Sequence, residues 1–373
     1  MEINSKIKRR LALNKIKPYQ PGKPIWELQS ELDLDQVVKL ASNENPIGPS
    51  PKAVEVLQHS LSTLNRYPDA HATRLKEVLA AQLSLSTEQF IITNGADELI
   101  TLISETYLEP DDEIIVLSPS FSEYQFGANL MGANIVSIPL DNRFQINIHT
   151  ILSSVTDHTK LVYVCSPNNP TGTYLSSNDL EALLLVLPEH VLLVLDAAYS
   201  HFATNADYTD GLEFVRSGHQ LIVLQTFSKI YGLAGIRVGF GAAPSSIIAS
   251  ITSVKEPFNV NTLAQYAAAA AIEDIDHVNQ SKLVNTSGRK QLYEAFSRLG
   301  LSYIESMANF VFVKIGHGAK RVYERLLEGG VIVRHGDAWE MPEYLRVSVG
   351  TQEENAKFIK QLELIKSKAE YRG

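Results

Sequence analysis

From about residue 50, short apolar runs alternate with helical patterns along the chain. We predict strands at these runs, residues 90–93, 113–117, 135–139, 160–165, 191–195, 221–225 and 236–241. Several runs show no alternation of apolar and polar residues, which is typical of strands buried on both faces. Helical segments lie between most of them, and the first begins at Ser50 and Pro51, a capping residue followed by proline. The pattern predicts an α/β fold, with a mostly parallel sheet between layers of helices.

The pattern changes after about residue 255. Helices are predicted at 264–272, at 277–299 and from Glu353 onward, and strands at 309–314, 330–334 and 344–349. These elements indicate a smaller α+β domain, so we divide the chain into a large domain, 46–260, and a small domain, 261–373. Residues 1–45 contain several prolines and few periodic positions. We expect them to form an extended arm that packs on the small domain or on a partner subunit.

Composition narrows the functional classes. The chain has 373 residues, of which 45% are hydrophobic and 20% charged, values typical of a globular protein with one or two cores. Its 42 acidic and 33 basic residues give a net charge of −9, which argues against a nucleic-acid partner. We interpret a local basic run near the N-terminus as a solvated arm. The one cysteine, Cys165, lies in an apolar run, and an intramolecular disulfide is therefore excluded.

Several other classes of protein lack support in the sequence. No apolar run is long enough to span a bilayer, and no N-terminal stretch resembles a signal peptide. We therefore expect no membrane partner and a cytoplasmic location. No histidine, cysteine or carboxylate cluster has metal-ligand spacing, and no G-x-S-x-G motif occurs. Metal and serine-nucleophile chemistry are therefore not expected.

The segment 226–237 carries the most informative chemistry. Lys229 lies just past a buried apolar run, in a loop of small and hydroxyl-bearing residues. Ligands bind at strand ends in α/β sheets, and a lysine desolvated there has a lowered pKa and becomes a nucleophile. Thr226, Ser228 and Arg237 together supply hydrogen-bond donors for a phosphate. The alternative is a surface lysine beside a structural arginine.

Two further polar groups follow apolar runs. Asn169 either forms a tight turn or presents its amide to a ring oxygen of a ligand. Asp196 either caps the next turn or pairs with a pyridinium nitrogen, and Tyr199 would reach the same region. Both interpretations stay open for each residue when it is taken alone.

Two weaker signals complete the set. Ala96 and Asp97 follow Gly95 at a predicted helix N-terminus, which is either an anion site or an ordinary strand-to-helix turn. Arg346 lies inside a predicted strand, where it either binds a carboxylate bidentately or sits on a sheet edge.

In order and placement these groups resemble those of the fold-type I pyridoxal-phosphate aminotransferases, over nearly the whole chain. The segments that carry the resemblance are 17–19 (KPY), 41–51 (ASNENPIGPSP), 66–69 (RYPD), 94–98 (NGADE), 168–172 (NNPTG), 226–237 and 257–260 (PFNV). The likeness is strongest toward members that act on histidinol phosphate, and it implies transamination between histidinol phosphate and 2-oxoglutarate in histidine biosynthesis. Aromatic amino acid aminotransferases share much of the pattern and form the alternative.

The resemblance also implies roles toward the cofactor, pyridoxal 5′-phosphate. Lys229 would bind it covalently and move a proton at the substrate Cα, and Asp196 would pair with the ring nitrogen. Asn169 and Tyr199 would bond the ring oxygen, and Phe121 would stack on the ring. The residues that would surround the cofactor phosphate are Ala96, Asp97, Thr226, Ser228 and Arg237.

For the substrate, the resemblance implies that Arg346 holds the α-carboxylate of the amino-acid partner. With histidinol phosphate, the same arginine would help to bind the phosphate. Tyr19 and Arg334 would reach the distal group. Tyr67 would reach the cofactor phosphate of a neighbouring subunit, so the functional unit would be a homodimer with shared active sites.

Departures from the family pattern concern the substrate more than the reaction. Ala197 and Ser166 stand where the family commonly has glutamate and asparagine, and neither carries an assigned role. Trp339 either lines the substrate pocket and favours an aromatic side chain, or packs in the small domain's core.

Three rival functions remain for comparison. A decarboxylase or lyase of the same fold would keep the cofactor and change the reaction. A non-catalytic pyridoxal-phosphate regulator would usually carry a DNA-binding domain, for which the chain has no spare segment. A nicotinamide dehydrogenase is suggested by Gly232, Gly235 and Gly239, but these lack the G-x-G-x-x-G spacing and precede a strand.

Overall fold

A computed structural model describes residues 7–16 and 22–367 of the chain. Its strands follow the apolar runs closely. In chain order they are β1 Val38–Lys39, β2 Phe90–Thr93, β3 Glu113–Ser118, β4 Asn134–Pro139, β5 Thr159–Cys165, β6 Leu192–Asp196, β7 Leu221–Thr226, β8 Gly239–Ala242, β9 Ser302–Ile304, β10 Phe310–Lys314, β11 Val331–Ile332, β12 Arg334–His335 and β13 Tyr344–Ser348.

The α-helices connect and cover these strands. They are α1 Ile25–Leu32, α2 Pro51–Ser60, α3 Thr73–Leu83, α4 Ala96–Tyr107, α5 Glu123–Met131, α6 Ile148–Ser153, α7 Ser177–Val186, α8 Leu212–Arg216, α9 Ser245–Thr252, α10 Thr262–Ile272, α11 Ile275–Arg298, α12 Ala319–Glu328 and α13 Gln352–Ser367. Helix α2 begins as predicted, because the Ser50 hydroxyl accepts a hydrogen bond from the Ala53 amide at 3.3 Å and Pro51 occupies the first turn.

A seven-stranded sheet forms the centre of the large domain, in the order β2-β8-β7-β6-β5-β3-β4. Strand β8 pairs antiparallel with both of its neighbours, and the other pairs in the sheet are parallel. Strands β2, β6 and β7 are buried at every position, as their uninterrupted apolar sequences require. The prediction of a mostly parallel α/β sheet is confirmed.

Alternate residues of one strand enter hydrophobic clusters on opposite faces of the sheet. In β5, Val162 and Val164 join one cluster, while Tyr163 and Cys165 join the other. The first cluster includes residues of α3, α7 and α10, and the second includes residues of α4, α5 and α9. The sheet therefore lies between two helical layers, and Cys165 is a buried free thiol in the core.

The C-terminal part forms a second sheet with its own core. Its antiparallel strands run in the order β12-β13-β10-β9, and α11, α12 and α13 contribute to the same hydrophobic cluster. Helix α10 instead packs on α2 and α3 of the large domain. The domain boundary at 260/261 stays a prediction, and this packing favours placing it at the end of α10.

The structure differs from the sequence-based expectations at three places. The strand predicted at 236–241 begins only at Gly239, because Arg237 adopts a left-handed backbone with φ of 59°. The strand predicted at 330–334 is split, since β11 pairs with β1 and β12 pairs with β13. The arm is not extended throughout, because it contains α1. No helix in the described part of the chain is long and apolar enough to cross a membrane.

Candidate active site

A cavity of about 400 Å³ opens where the central strands end. The predicted site residues that line it are Ala96, Asp97, Phe121, Asn169, Asp196, Tyr199, Thr226, Ser228, Lys229, Arg237, Arg334 and Arg346. Parallel pairing explains much of this convergence, because the carboxyl ends of β5, β6 and β7 meet at one edge of the sheet. Cys165, at the end of β5, pairs in register with Asp196, at the end of β6.

Among the described residues, one predicted site residue, Tyr67, does not line this cavity. Tyr67 is 83% exposed, and its ring stacks on Phe258 with a centroid distance of 4.8 Å. Tyr19 lies outside the described residues.

Lys229 is the buried amine of the site. It follows β7 by three residues, and its Nζ donates a hydrogen bond to the Ser42 carbonyl oxygen at 3.1 Å. Burial, and then the nearby Arg346 guanidinium, lower the pKa of Lys229 from 10.5 to about 8, although Asp97 and Glu44 act in the opposite direction. A substantial fraction of the amine is therefore neutral and nucleophilic near physiological pH.

Asp196 is the buried carboxylate beneath the cavity. It accepts hydrogen bonds from the Tyr124 hydroxyl at 2.6 Å and from the Ala198 amide at 3.0 Å. Burial raises the pKa of Asp196, while these two hydrogen bonds act to lower it. A carboxylate held in this way can pair with a cationic ring nitrogen.

The Tyr199 hydroxyl is oriented by Asn43. Asn43 Nδ2 donates to the Tyr199 oxygen at 3.0 Å, so the tyrosine hydrogen is directed to another acceptor. The Asn43 side-chain oxygen accepts from the Ser348 hydroxyl at 2.8 Å, which ties this pair to the small domain. Burial raises the pKa of Tyr199, so the hydroxyl stays protonated.

An anion pocket lies at the N-terminus of α4. Arg237 donates to the Asp97 carboxylate at 3.1 Å and to the Ser228 hydroxyl at 3.3 Å. Gly95, with φ of 83°, precedes the helix, and a Cβ atom there would lie 2.5 Å from Arg237 Nη2. A glycine is therefore required for the guanidinium to approach the helix terminus, where backbone amides attract anions.

Arginines from two adjacent strands face the cavity. Arg334 in β12 pairs in register with Arg346 in β13, and directly opposite residues of an antiparallel pair project to the same face. Arg346 donates to the Asn169 side-chain oxygen at 2.6 Å and to the Ala41 carbonyl at 2.5 Å. Asn169 thus presents its amide NH₂ group as the remaining donor. Arg346 is buried, and its strand β13 lies between β12 and β10, which excludes the sheet-edge interpretation.

The side chains fit pyridoxal phosphate, the cofactor that the resemblance implies. The buried amine of Lys229, the Asp196 carboxylate and the Tyr199 hydroxyl match its aldehyde, ring nitrogen and ring oxygen. The space that Gly95 leaves open lies among donors suited to a phosphate. In the described part of the chain, no group of three or more His, Cys, Asp or Glu residues is placed to hold a metal ion.

The sequence-based selection missed Tyr124 and Asn43. Asn43 lies within segment 41–51, which resembles the family pattern but carries no predicted role of its own. Tyr124 follows Phe121 by three residues and lies at the start of α5. A one-turn spacing from Phe121 was the available signal for Tyr124. No local signal predicts the contact of Asn43 with Tyr199, because the two are 156 residues apart.

The chain is similar to known proteins over most of its length. Residues 35–362 match the profile of the family described as aminotransferase class I and II. The chain is 48% identical to the histidinol-phosphate aminotransferase of Moorella thermoacetica, covering 95% of this chain and 92% of that relative. It is 44% identical to histidinol-phosphate aminotransferase 2 of Carboxydothermus hydrogenoformans, and the match covers 95% of this chain and 98% of that relative. The fold matches the Sinorhizobium meliloti histidinol-phosphate aminotransferase solved with pyridoxal 5′-phosphate, with a TM-score of 0.89 and 23% identity over 98% and 99% of the two chains.

Proposed function

The chain belongs to the aminotransferase class I and II family, and from this premise we propose that it transfers an amino group from histidinol phosphate to 2-oxoglutarate. Pyridoxal 5′-phosphate is the proposed cofactor. Relatives that share 40–48% of their residues with this chain over most of its length carry the histidinol-phosphate name. The reaction belongs to histidine biosynthesis.

The observation that carries the substrate assignment is the pairing of Arg334 with Arg346 in the cavity that Lys229 also lines. Glutamate and 2-oxoglutarate each carry two carboxylates, and histidinol phosphate carries one dianionic phosphate. Two guanidinium groups on one face supply hydrogen-bond donors both for a pair of carboxylates and for a single phosphate. In its own half-reaction, a monocarboxylic aromatic amino acid would leave the second arginine without an anion, whereas histidinol phosphate would not.

The mechanism uses the buried amine and the groups that orient the substrate. Pyridoxal phosphate, when bound, supplies an electron sink that stabilises negative charge at the substrate Cα. Asp196 would keep the ring nitrogen protonated, and Asn169 and Tyr199 would hold the ring oxygen. Lys229, with a pKa of about 8, accepts the Cα proton of the amino donor in its neutral form, and in the second half-reaction it delivers a proton to the Cα of the amino acid that is formed.

Substrate orientation decides which bond at Cα breaks. Arg346 fixes the α-carboxylate of glutamate, so that the C–H bond rather than the bond to the carboxylate is directed toward Lys229. The amine of Lys229 and the Arg346 guanidinium line the same cavity. This arrangement favours proton transfer over decarboxylation.

We also propose a homodimer with shared sites. Tyr67 is 83% exposed and stacks on the partly exposed Phe258, outside the cavity of its own chain. An exposed aromatic pair of this kind suits a contact with a second copy of the chain. Tyr67 would then reach the cofactor phosphate in the partner.

The first test is a single half-reaction followed by the visible absorbance of the bound cofactor. Histidinol phosphate and phenylalanine are added separately at matched concentrations to the purified holoenzyme. We expect rapid conversion by histidinol phosphate and slow conversion by phenylalanine. Preferential conversion by phenylalanine would refute the substrate assignment while leaving the aminotransferase reaction in place.

The Arg334→Gln variant provides the matched control. Loss of charged hydrogen bonds to the phosphate should slow conversion by histidinol phosphate by about a hundredfold, since each such bond contributes roughly 1.5–3 kcal/mol. Conversion by phenylalanine should change little, because its distal ring is neutral. Equal losses for both substrates would contradict the role of Arg334.

A further inference from the structure

Trp339 lies in the turn that joins the two arginine-bearing strands. The turn is a short 3₁₀ helix, Gly336–Trp339, between β12 and β13. The indole is partly buried and does not line the cavity in the described structure. The contacts of Trp339 in the described structure are therefore with protein neighbours.

The principal neighbour is the Arg346 guanidinium. Its central carbon lies 5.0 Å from the Trp339 ring centre and 5.3 Å from the Phe310 ring centre. Two hydrogen bonds, to Asn169 and Ala41, constrain the guanidinium within its own plane. Rings against the group restrict its tilt and exclude water, which strengthens a cation–π contact.

The indole is itself held by aromatic side chains on the face of the small sheet that carries Arg346. Trp339 contacts Phe312 edge-to-face at 6.0 Å, and Phe312 stacks on Tyr344 at 4.6 Å. Phe144 from the large domain packs edge-to-face on both of these rings, at 6.4 Å and 6.0 Å. The position of the indole is therefore set by an aromatic cluster, and the indole can in turn impose an orientation on Arg346.

We propose that Trp339 is a positioning residue for substrate recognition, which holds the Arg346 guanidinium in the orientation that binds a substrate anion. The proposal rests on the proposed function only in assigning Arg346 to substrate anions. The sequence left two interpretations of Trp339 open, an aromatic residue that lines the substrate pocket and a residue of the small domain's core. The positioning role replaces both.

The test compares Trp339→Leu with Trp339→Phe in the holoenzyme. Leucine removes the ring and should raise the glutamate KM about five- to thirtyfold, the range expected for a partly desolvated cation–π contact. The kcat should fall by a smaller factor than the KM rises, because Lys229 and Asp196 keep their own contacts and only the hold on the Arg346 guanidinium is loosened. The Trp339→Phe variant, which keeps an aromatic ring, should have a glutamate KM close to that of the wild type. An unchanged glutamate KM in Trp339→Leu would overturn the proposal.

Two controls separate positioning from a general loss of structure. Histidinol, which carries neither phosphate nor carboxylate, should react equally slowly with wild type and Trp339→Leu. A parallel slowing with histidinol would indicate a structural role and refute the proposal. The matched variant Trp26→Leu removes the other tryptophan, which is 70% exposed on α1, and should leave the glutamate KM unchanged.

A second measurement does not depend on replacing Trp339. The chain has two tryptophans, so in Trp26→Phe all tryptophan fluorescence comes from Trp339. Because Trp339 contacts Arg346, this fluorescence reports on the guanidinium. Titration of this holoenzyme with succinate, an unreactive dicarboxylate, should shift or quench the emission. Constant emission at saturating succinate would refute the contact. Both experiments stand even if phenylalanine proves to be the substrate, so the two proposals can fail independently.

Discussion

At the scale of single residues, the site depends on Lys229, whose pKa is lowered because its surroundings disfavour the charged amine. Lys229 is buried and close to two arginines, and both effects favour the neutral amine. Asp97 and Glu44 oppose them without restoring the ordinary pKa. Arg346, which we propose binds substrate anions, and Arg237, which we propose binds the cofactor phosphate, therefore also favour the nucleophilic form of the lysine.

The lowered pKa of Lys229 predicts how cofactor capture depends on pH. Only the neutral amine attacks an aldehyde, so uptake of pyridoxal phosphate by the cofactor-free protein should accelerate as pH rises through about 8 and level off above it. Stopped-flow absorbance measures this rate. Arg346→Met removes a nearby positive charge and should move the midpoint to higher pH. A wild-type midpoint near 10.5 would contradict the lowered pKa of Lys229.

The variant Lys229→Ala is the control for this experiment. It should lose the visible band of the covalently bound cofactor and at least about a thousandfold in turnover, the scale of a lost acid–base group. A fully active alanine variant would refute the assignment of Lys229 altogether.

At the scale of elements, the phosphate pocket depends on how closely β8 and the start of α4 approach. A Cβ atom at Gly239, the first residue of β8, would lie 2.8 Å from the Ala96 amide nitrogen. Gly95 leaves room for Arg237 on the other side of the same turn. Two glycines thus allow a strand, a helix terminus and an arginine to meet where a phosphate would bind.

Replacing Gly95 tests this packing. Gly95→Ala forces a side chain into a positive φ and against Arg237, so it should cost about 1–3 kcal/mol of stability. Its cofactor affinity should fall about tenfold or more, since one displaced charged hydrogen bond contributes roughly 1.5–3 kcal/mol. Equilibrium unfolding and cofactor titration measure the two effects.

Gly218→Ala is the matched control, because Gly218 also has φ of 83° but nothing lies within 4 Å of its Cβ position. It should lose stability from backbone strain while keeping full cofactor affinity. If both variants weaken cofactor binding equally, the contact between Gly95 and Arg237 is not the cause.

At the scale of the whole molecule, one predicted cofactor-binding residue, Tyr67, lies outside the cavity of its own chain. Tyr67 and Phe258 form an exposed stacked pair away from their own cavity. A buried tyrosine would need no partner, whereas an exposed aromatic pair gains from association. The cytoplasmic location expected from the sequence stays a prediction.

Subunit complementation tests the shared site. Tyr67→Phe should weaken cofactor retention without unfolding the chain, and Lys229→Ala should be inactive. In a mixed dimer, one site would combine the intact Lys229 of one chain with the intact Tyr67 of the other. Activity at limiting cofactor should therefore rise on mixing above the sum of the separate proteins. No gain after verified subunit exchange, or an active monomer, would contradict the shared site.

The sequence by itself determined the fold class and most of the groups that line the cavity. Strands β2, β5 and β7 were recognisable because burial on both faces demands uninterrupted apolar runs, which are local in sequence. Asp196 follows one such run directly and Lys229 lies three residues past β7, so parallel pairing alone predicts that they converge. Their roles came from the family resemblance and stay proposals.

Only the tertiary structure decided how these groups are oriented. Asn43 reaches Tyr199 across 156 residues, and Tyr124 reaches Asp196 across 72. Trp339 proved to contact Arg346 rather than the cavity, and β8 began late because Arg237 adopts a left-handed backbone. Hydrogen bonds and ring contacts depend on distances of a few ångströms between distant segments, and no local pattern of apolar and polar residues encodes those distances.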